Sequence, residues 1–312
     1  SKLNDEDRTV DLSIEVDKGK KVYVGSIEVL GNLKTRDNVI RREFRLKEGE
    51  LFDSFKLKRS KQRLNNLNFF EDVKIDTHRG QDPDLIDILT TVTEKPSGSF
   101  SVGAGFSSVE NLIFTTSITQ NNLLGNGQRL SLNAQLSSIR TDFNVSFTEP
   151  RLFDSEILLG FDAFNQDQDY LSFDSQSTGG GIRLGKNISE YDSVNLRYRF
   201  DNVEVTGLSA ADETEFFKNA TRVTSRIAPT YTHDSRDNFL NPSKGWRHVL
   251  GFELAGLGGA KFTKSVYEVT YYHPLIGKLV GAAHGRVNFG EGYGGEDLPG
   301  FEMYFMGGPT SL

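Results

Sequence analysis

The chain contains no cysteine, which excludes a disulfide framework and a thiolate metal site. It also lacks any run of about 18 apolar residues, the length that a transmembrane helix requires. Low hydropathy would suit a soluble protein, but it is also typical of transmembrane β-strands, because only alternate residues of such strands face lipid. These absences therefore leave two classes open, a soluble protein and a membrane β-barrel.

Charge is distributed unevenly along the 312 residues. Residues 1–96 carry 19 basic and 19 acidic side chains, whereas residues 97–312 carry 17 basic and 24 acidic side chains, giving a net charge of −7. The charged fraction halves at Lys95-Pro96, where we place a domain boundary. A net-acidic second half disfavours nucleic acid as a partner, because binding to phosphates needs clustered cations.

Residues 20–96 predict a small α+β domain in the order strand, helix, helix, strand, strand. Strands are expected at 22–30, 71–77 and 85–93, and helices at 36–44 and from Ser54 onward. Thr35 and Ser54 are the expected helix N-caps. This order favours helices packed on one face of a three-stranded sheet.

From Pro96 onward the sequence reads as eleven strands, each with one apolar and one polar face. In one example, Leu130, Leu132 and Leu136 alternate with polar residues. A single-chain membrane barrel with both ends on one side needs an even number of strands. We therefore expect the chain to be part of a larger barrel protein.

The segments between the predicted strands fall into two groups by side of the sheet. One side receives the turns at 122–128, 150–155, 187–191, 234–245 and 275–278. The other receives 108–110, 139–141, 166–174, 203–221, 257–261 and the segment from Glu291. Longer segments on the second side are typical of external loops, with periplasmic turns on the first, although 234–245 is long and 108–110 is short.

Five stretches of sequence carry a resemblance to known families. Ile27–Asn32 with Thr35, and Leu64–Val73, resemble the POTRA domain. Three further motifs resemble BamA-type outer-membrane assembly proteins, and together they contain Glu149, Pro150, Arg151, Asp234, Arg236, Asp237, Gly245, Gly307 and Gly308.

The resemblance implies an α+β POTRA domain followed by an all-β antiparallel transmembrane barrel, with about 11 of 16 strands present. Residues 1–19 would be the last strand of a preceding POTRA domain, 20–96 the barrel-proximal POTRA domain, and 97–312 the first part of the barrel, ending within its sixth external loop. It implies an integral outer-membrane protein with a periplasmic POTRA domain. The implied partners are unfolded outer-membrane proteins, periplasmic-side lipoproteins and outer-membrane lipid.

Within this resemblance, the first barrel strand is the candidate functional strand. Residues 99–107 place large apolar side chains on one face and Ser or Gly on the other, and the strand comprises Phe100, Ser101, Val102, Gly103, Ala104, Gly105 and Phe106. Small residues and glycines are expected to pair weakly with a closing strand, so that the seam opens and its edge templates other strands. The alternative is that the glycines only relieve crowding. Glu94, Lys95 and Pro96 are the expected hinge between the two domains.

Signals of enzymatic chemistry fail on inspection. Residues 180–186 match the Gly-x4-Gly-Lys skeleton of a phosphate loop, but Asn187 replaces the required Ser or Thr and no helix follows. His233-Asp234-Ser235 has triad residue types, but neighbours on a strand point to opposite faces. No histidines pair at metal-binding spacing. We therefore expect no catalysis and no cofactor.

Several functional classes stay open at this point. The main hypothesis is an insertase for outer-membrane barrel proteins. The nearest alternative is a two-partner secretion transporter, which shares the POTRA-plus-barrel fold, and a translocation-and-assembly relative is a third. A porin-like channel gives the POTRA domain no role. A soluble β-sandwich binding protein would use the apolar strand faces as its core.

Overall fold

A computed structural model describes residues 2–4, 9–11, 20–170, 173–208, 221–238 and 241–304. The chain forms two compact units, Ser1–Lys95 and Pro96–Leu312, and each is described by itself. No helix in the described part of the chain has the length and apolar character needed to cross a bilayer.

The first unit contains the predicted α+β order. Its elements are β1 (Lys2–Asn4), β2 (Thr9–Asp11), β3 (Tyr23–Leu30), α1 (Asp37–Arg41), α2 (Ser54–Asn66), β4 (Phe70–Arg79) and β5 (Leu85–Glu94). Strands β1 and β2 pair with each other, and the rest of residues 1–19, expected to form the last strand of a preceding POTRA domain, lies outside the described residues. The other strands form a sheet in the order β3-β5-β4, with β3 parallel and β4 antiparallel to β5.

The two helices pack on this sheet through a small hydrophobic core. Val39 and Ile40 of α1 and Leu64 of α2 are fully buried against Val73 and Val92 of the sheet. Full burial of each such side chain contributes about 1.5–3 kcal/mol. The helix-on-sheet packing therefore accounts for much of the stability of this unit.

Both predicted helix caps are wrong by one residue. The N-cap of α1 is Arg36, whose side chain makes no capping bond, because Thr35 is held instead by a bond from its backbone N–H to Glu94. The N-cap of α2 is Asp53, which accepts hydrogen bonds from the N–H groups of Phe55 and Lys56. Asp and Ser cap helices about equally well, so their order here could not be read from preference alone.

The second unit is one antiparallel sheet of eleven strands, as predicted. They are β6 (Gly98–Ser107), β7 (Asn111–Leu123), β8 (Gln128–Leu136), β9 (Arg140–Glu149), β10 (Ile157–Asp169), β11 (Asp174–Asn187), β12 (Asp192–Thr206), β13 (Thr221–Asp234), β14 (Gly245–Gly259), β15 (Phe262–Pro274) and β16 (Val280–Gly292). Each strand pairs with its sequence neighbours, so β6 and β16 are the two edges. Among the described residues these two edges do not pair with each other, and the sheet is not closed.

Most strands extend further than predicted, and the connecting segments are correspondingly shorter. The segment expected at 166–174 is reduced to 170–173, and β14 continues through the expected start of a loop at 257 to Gly259. The end of β10 is polar and the end of β14 is rich in glycine, so neither shows the apolar alternation that marks a strand. Backbone pairing continues regardless, for example between Gln166 and Ser177.

The apolar face of this sheet is exposed. Leu132, Phe143 and Val145 are 37%, 48% and 44% exposed, and comparable side chains occur on most of the other strands. A soluble sandwich would cover such a face with a second sheet, but the described residues provide none. The face therefore fits contact with lipid.

Candidate functional site

The candidate site is strand β6, whose side away from β7 pairs with no other strand of the described residues. The strand pairs with β7 along its whole length, from Gly98 opposite Gln120 to Ser107 opposite Asn111. In an antiparallel ladder, alternate residues direct their N–H and C=O groups to each side. The side of β6 away from β7 therefore presents about five N–H and five C=O groups that pair with no other strand of the described residues.

Side chains divide β6 into two different faces. Phe100, Val102 and Phe106 are 68%, 66% and 78% exposed on the apolar face. Ser101, Gly103 and the other small residues occupy the opposite face. Such a strand offers backbone groups without bulky side chains on one face, which suits the approach of another strand.

The two glycines of this strand differ in their surroundings. A Cβ added at Gly103 would meet only the hydroxyl of Thr115, at 2.7 Å, and one added at Gly105 would meet nothing within 4 Å. Neither contact involves backbone, in contrast to Gly259, where a Cβ would lie 1.8 Å from the carbonyl oxygen of Val223. Crowding by the described residues therefore does not require glycine at 105.

The start of β6 is fixed by hydrogen bonds to the end of β7. The backbone N–H of Asn121 donates to the carbonyl of Ser97 at 2.9 Å, and the amide of Gln120 donates to the Ser97 hydroxyl at 2.9 Å. The far end is held where the N–H groups of Val109 and Glu110 donate to Ser107 Oγ. The edge is thus held at both ends along its paired side.

Two of the expected hinge residues have partners within the first unit. The Glu94 carboxylate accepts backbone N–H bonds from Lys34 at 2.9 Å and Thr35 at 2.7 Å. Burial alone raises the pKa of Glu94, but the bonds from Thr35 and Lys34 outweigh it and hold the pKa below its ordinary value of 4.5. The backbone N–H of Lys95 donates to the carbonyl of Phe69 at 3.0 Å. Ser97 is bonded to Asn121 and Gln120 within the second unit, and a hinge at Glu94, Lys95 and Pro96 stays a prediction.

The residues of the first barrel motif organise the turn between β9 and β10. Glu149 accepts from the side chain of Gln128 at 2.8 Å and from the backbone N–H of Arg151 at 3.0 Å. Arg151 forms an ion pair with Glu156 at 3.4 Å. Pro150 lies between these bonded residues. The motif therefore fixes the turn between β9 and β10.

The residues of the second motif organise the turn between β13 and β14 in the way expected from their types. Arg236 donates to both carboxylate oxygens of Asp234, at 2.8 and 2.7 Å. Asp237 accepts from the hydroxyl and backbone N–H of Ser243 and from the N–H of Lys244, and these bonds lower its pKa. At Gly245 φ is +115° and a Cβ would lie 2.5 Å from the Ser235 carbonyl oxygen, so glycine is required there.

Sequence reasoning missed a buried charge cluster on the polar face of β12–β15. Arg226 of β13 donates to both oxygens of Asp201 at 3.0 and 3.1 Å, and to Glu302 at 2.8 Å. Lys264 also donates to Glu302, at 2.6 Å, and Arg199 donates to Asp201 at 3.1 Å. The only available signal was an Arg and an Asp on the polar faces of consecutive strands, and their register was needed to pair them.

The same cluster holds the segment that follows β16. Glu302 lies in a short 3-10 turn, Gly300–Glu302. Glu296 accepts from Arg222 at 2.6 Å, and this bond lowers the pKa of Glu296. Two glutamates therefore bind residues 293–304 to cations of the sheet. Gly307 and Gly308 of the third motif lie outside the described residues.

No group of three His, Cys, Asp or Glu side chains within the described ranges is arranged to hold a metal ion. The site therefore consists of an unpaired strand edge, a set of structured turns and a buried charge cluster. Such an arrangement can bind another β-strand by backbone pairing.

Comparison with known proteins places the chain among membrane proteins of related fold. The model of the Omp85 superfamily domain matches residues 122–312, and that of the surface antigen variable number repeat, the POTRA family, matches residues 22–95. The outer membrane protein assembly factor BamA of Nitratidesulfovibrio vulgaris is 33% identical over 98% of this chain, which spans 39% of that protein.

Solved structures give the same grouping. BamA from Haemophilus ducreyi lacking POTRA domains 1–3 superposes with a TM-score of 0.79 and 26% identity, covering 100% of this chain and 63% of that one. CdiB from Escherichia coli superposes with a TM-score of 0.60 over 93% of this chain and 57% of that one. Its identity is 15%, so this second likeness shows the fold alone.

Proposed function

The chain belongs to the Omp85 superfamily, and on that premise we propose that the protein containing it is an outer-membrane protein assembly factor. The eleven-stranded unit lies in the outer membrane and the POTRA unit lies in the periplasm. The single observation that carries the proposal is the make-up of β6, which has small residues and glycines on one face and exposed large apolar side chains on the other. The relatives' names describe an assembly factor and no enzyme, and we propose no covalent chemistry.

Backbone hydrogen bonding between β6 and an incoming strand would supply the driving force for inserting that strand into the bilayer. Each backbone hydrogen bond contributes about 0.5–1.5 kcal/mol net in water, whereas an unpaired backbone group in lipid costs several kcal/mol. A nascent strand that enters the bilayer beside β6 would satisfy its own groups and those of the edge together. Insertion would then proceed without a nucleotide, and later strands would add to the first.

The POTRA sheet offers a second edge for extended partners. The start of β3 is covered, since the N–H of Val24 donates to the Glu50 carbonyl and Gly49 donates to the Val24 carbonyl. Strand β4 lies at the other edge, and no strand of the described residues pairs with its outer side. We propose that β4 accepts unfolded outer-membrane proteins or periplasmic lipoproteins by strand addition.

Cysteine crosslinking tests the templating mechanism directly. The chain has no native cysteine, so Ser101→Cys or Gly103→Cys adds a single thiol to it. Ser117→Cys is the matched control, because Ser117 lies opposite Ser101 on β7, one strand away from the edge. The full-length protein would be trapped with a stalled barrel substrate that carries one cysteine in its terminal strand.

We expect crosslinks from residues 101 and 103 and few from 117. An absence of crosslinks at every position from 99 to 107 would contradict templating by β6. Equal yields at 101 and 117 would contradict specificity for the edge.

The runner-up is a transporter that exports one cognate protein through the barrel lumen. The likeness to CdiB is consistent with that fold but comes at 15% identity. The assembly proposal is preferred because the relative at 33% identity over nearly the whole chain is an assembly factor.

A further inference from the structure

Positive charge is concentrated on helix α2 of the first unit. Its sequence, Ser54–Asn66, contains five Lys and Arg residues and no Asp or Glu. The sheet strands β3, β4 and β5 have the opposite balance, with six acidic and two basic side chains. Because residues 1–96 are neutral as a whole, charge in this unit is separated between the helix and the sheet.

The cations of α2 differ in their surroundings. Arg63 is committed to the unit itself, since it pairs at 2.7 Å with Glu43, whose side chain is 7% exposed. Lys58 and Lys61 are exposed, and neither forms a hydrogen bond or an ion pair with another residue of the described ranges. The charge of these two lysines is therefore available to a partner.

The exposed side chains of α2 lie on the face opposite the hydrophobic core. Phe55, Lys58 and Gln62 are spaced three and four residues apart, so they share one stripe of the helix. Leu57 and Leu64 pack against the core instead. The outer face of α2 is therefore basic, and it includes one aromatic ring, that of Phe55, which is 81% exposed.

This make-up disfavours insertion of α2 into a bilayer. A helix that lies in a membrane interface needs a wide apolar face. The apolar face of α2 is already buried, because Leu64 shares a core with Val73 of β4. A basic face with a single exposed ring instead favours an anionic partner in water.

A net-acidic unfolded barrel chain has the complementary charge. Residues 97–312 of this sequence carry 24 acidic and 17 basic side chains, and a membrane barrel with this composition must itself be assembled. An unfolded chain exposes its carboxylates to the periplasm before it enters the bilayer. Helix α2 also packs on β4, the edge strand proposed above to accept extended chains.

We propose that the basic outer face of α2 is the first docking surface for net-acidic unfolded barrel chains, of which a second copy of this chain before folding is one. Long-range attraction would bring the chain to the helix, and backbone pairing at the edge of β4 would follow. The inference rests on the proposed assembly function and adds a charge preference for its substrates.

The test measures association rates with the full-length protein folded into phosphatidylcholine vesicles. The probe is residues 97–312 of this chain, labelled with a fluorophore at the amino terminus and diluted from urea. Lys58→Glu with Lys61→Glu reverses two charges on the helix. The matched control is Lys20→Glu with Lys21→Glu, which changes the net charge equally at two exposed lysines that precede β3.

At low ionic strength we expect the helix variant to bind the probe roughly tenfold more slowly than the parent, within the range for electrostatic steering. We expect the control to lie close to the parent. The difference should shrink in about 1 M salt, where the Debye length falls to about 3 Å. Equal rates for the parent and the helix variant, or equal slowing in the control, would overturn the proposal.

A second probe separates charge from other properties of the helix. Changing seven Asp or Glu residues of the probe to Asn or Gln brings its net charge from −7 to zero. We expect this neutral probe to bind the parent and the helix variant at equal rates, and an undiminished difference would overturn the proposal. A difference that appears only in vesicles containing phosphatidylglycerol would assign the lysines to the lipid surface and would also overturn it.

Failure of this proposal and failure of the assembly proposal are distinguishable. Crosslinking to β6 is measured on a substrate that is already trapped, so it does not depend on the rate at which the substrate arrives. Equal association rates together with crosslinks at 101 and 103 would refute docking on α2 alone. An absence of crosslinks from 99 to 107 would count against templating by β6, whatever the association rates.

Discussion

The buried charge cluster gives the sharpest energetic prediction. Arg226 makes a two-pronged bond to Asp201, and the two side chains are 10% and 1% exposed. Removing one partner of a buried pair typically costs about 3–5 kcal/mol, because the other charge stays buried without compensation. We therefore expect Arg226→Met and Asp201→Leu each to lower the free energy of unfolding by about that amount.

The double variant distinguishes coupling from independent damage. If the two side chains act as a pair, Arg226→Met with Asp201→Leu costs about as much as either single change, so the coupling energy equals one single loss, about 3–5 kcal/mol, at or above the upper end of the range of about 0.5–3 kcal/mol for contacting residues. If each residue acts alone, the two losses add.

The assay is denaturant unfolding of the full-length protein in detergent, followed by loss of the compact, fast-migrating gel band. Arg197→Met is the control, since Arg197 lies on the same polar face of β12 but is exposed, and we expect a change of about 0.5 kcal/mol or less. Additive losses, or an Arg226 variant no weaker than the Arg197 control, would refute the reasoning.

Three further predictions concern single positions. We expect Glu94→Gln to lower the free energy of unfolding of the first unit at neutral pH and to make that free energy change less as the pH is lowered. Because the pKa of Glu94 is lowered in the folded protein, the stabilisation from its carboxylate is present above the ordinary value of 4.5 and is lost as the pH falls below it. Denaturant unfolding of the parent and the variant across this pH range measures the difference. Parallel pH profiles for the two proteins would contradict the prediction. Gly259→Ala should lower the free energy of unfolding by about 1–3 kcal/mol, because φ at this residue is +83° and the added Cβ would meet the backbone of Val223. Gly251→Ala is the control and should change the free energy of unfolding little, because the site has room for a Cβ. Equal unfolding midpoints for the two variants would count against this prediction. Leu64→Ala should lower the free energy of unfolding in urea by about 2–5 kcal/mol, because Leu64 is fully buried. Phe55→Ala is the control and should change it little, because the Phe55 side chain is 81% exposed. Equal losses in the two variants would contradict the core described above.

Periodicity was sufficient to predict the strands but not their ends. Alternation along residues such as Leu130 and Leu132 gave eleven strands and their order, because each strand has one apolar face. The ends were misjudged where polar residues continue the ladder, as at Gln166, since backbone pairing does not depend on side-chain polarity. The free edge of β6 followed from its being the first strand.

The charge cluster could not be predicted, because it depends on register. Arg226 meets Asp201 only when β12 and β13 pair as they do, with Arg226 opposite Arg199, and Glu302 reaches them from 76 residues away. The N-cap of α1 was mispredicted for a related reason. Thr35 has a capping side chain, but its backbone is held by Glu94, and local preference does not include such a distant contact.

Depletion of the full-length protein from its own cells, followed by quantification of several unrelated folded outer-membrane barrels, tests the assembly role most directly. The account predicts a general loss of these barrels from the membrane. Normal levels of all of them, with one secreted protein trapped in the periplasm, would contradict it and indicate a dedicated transporter.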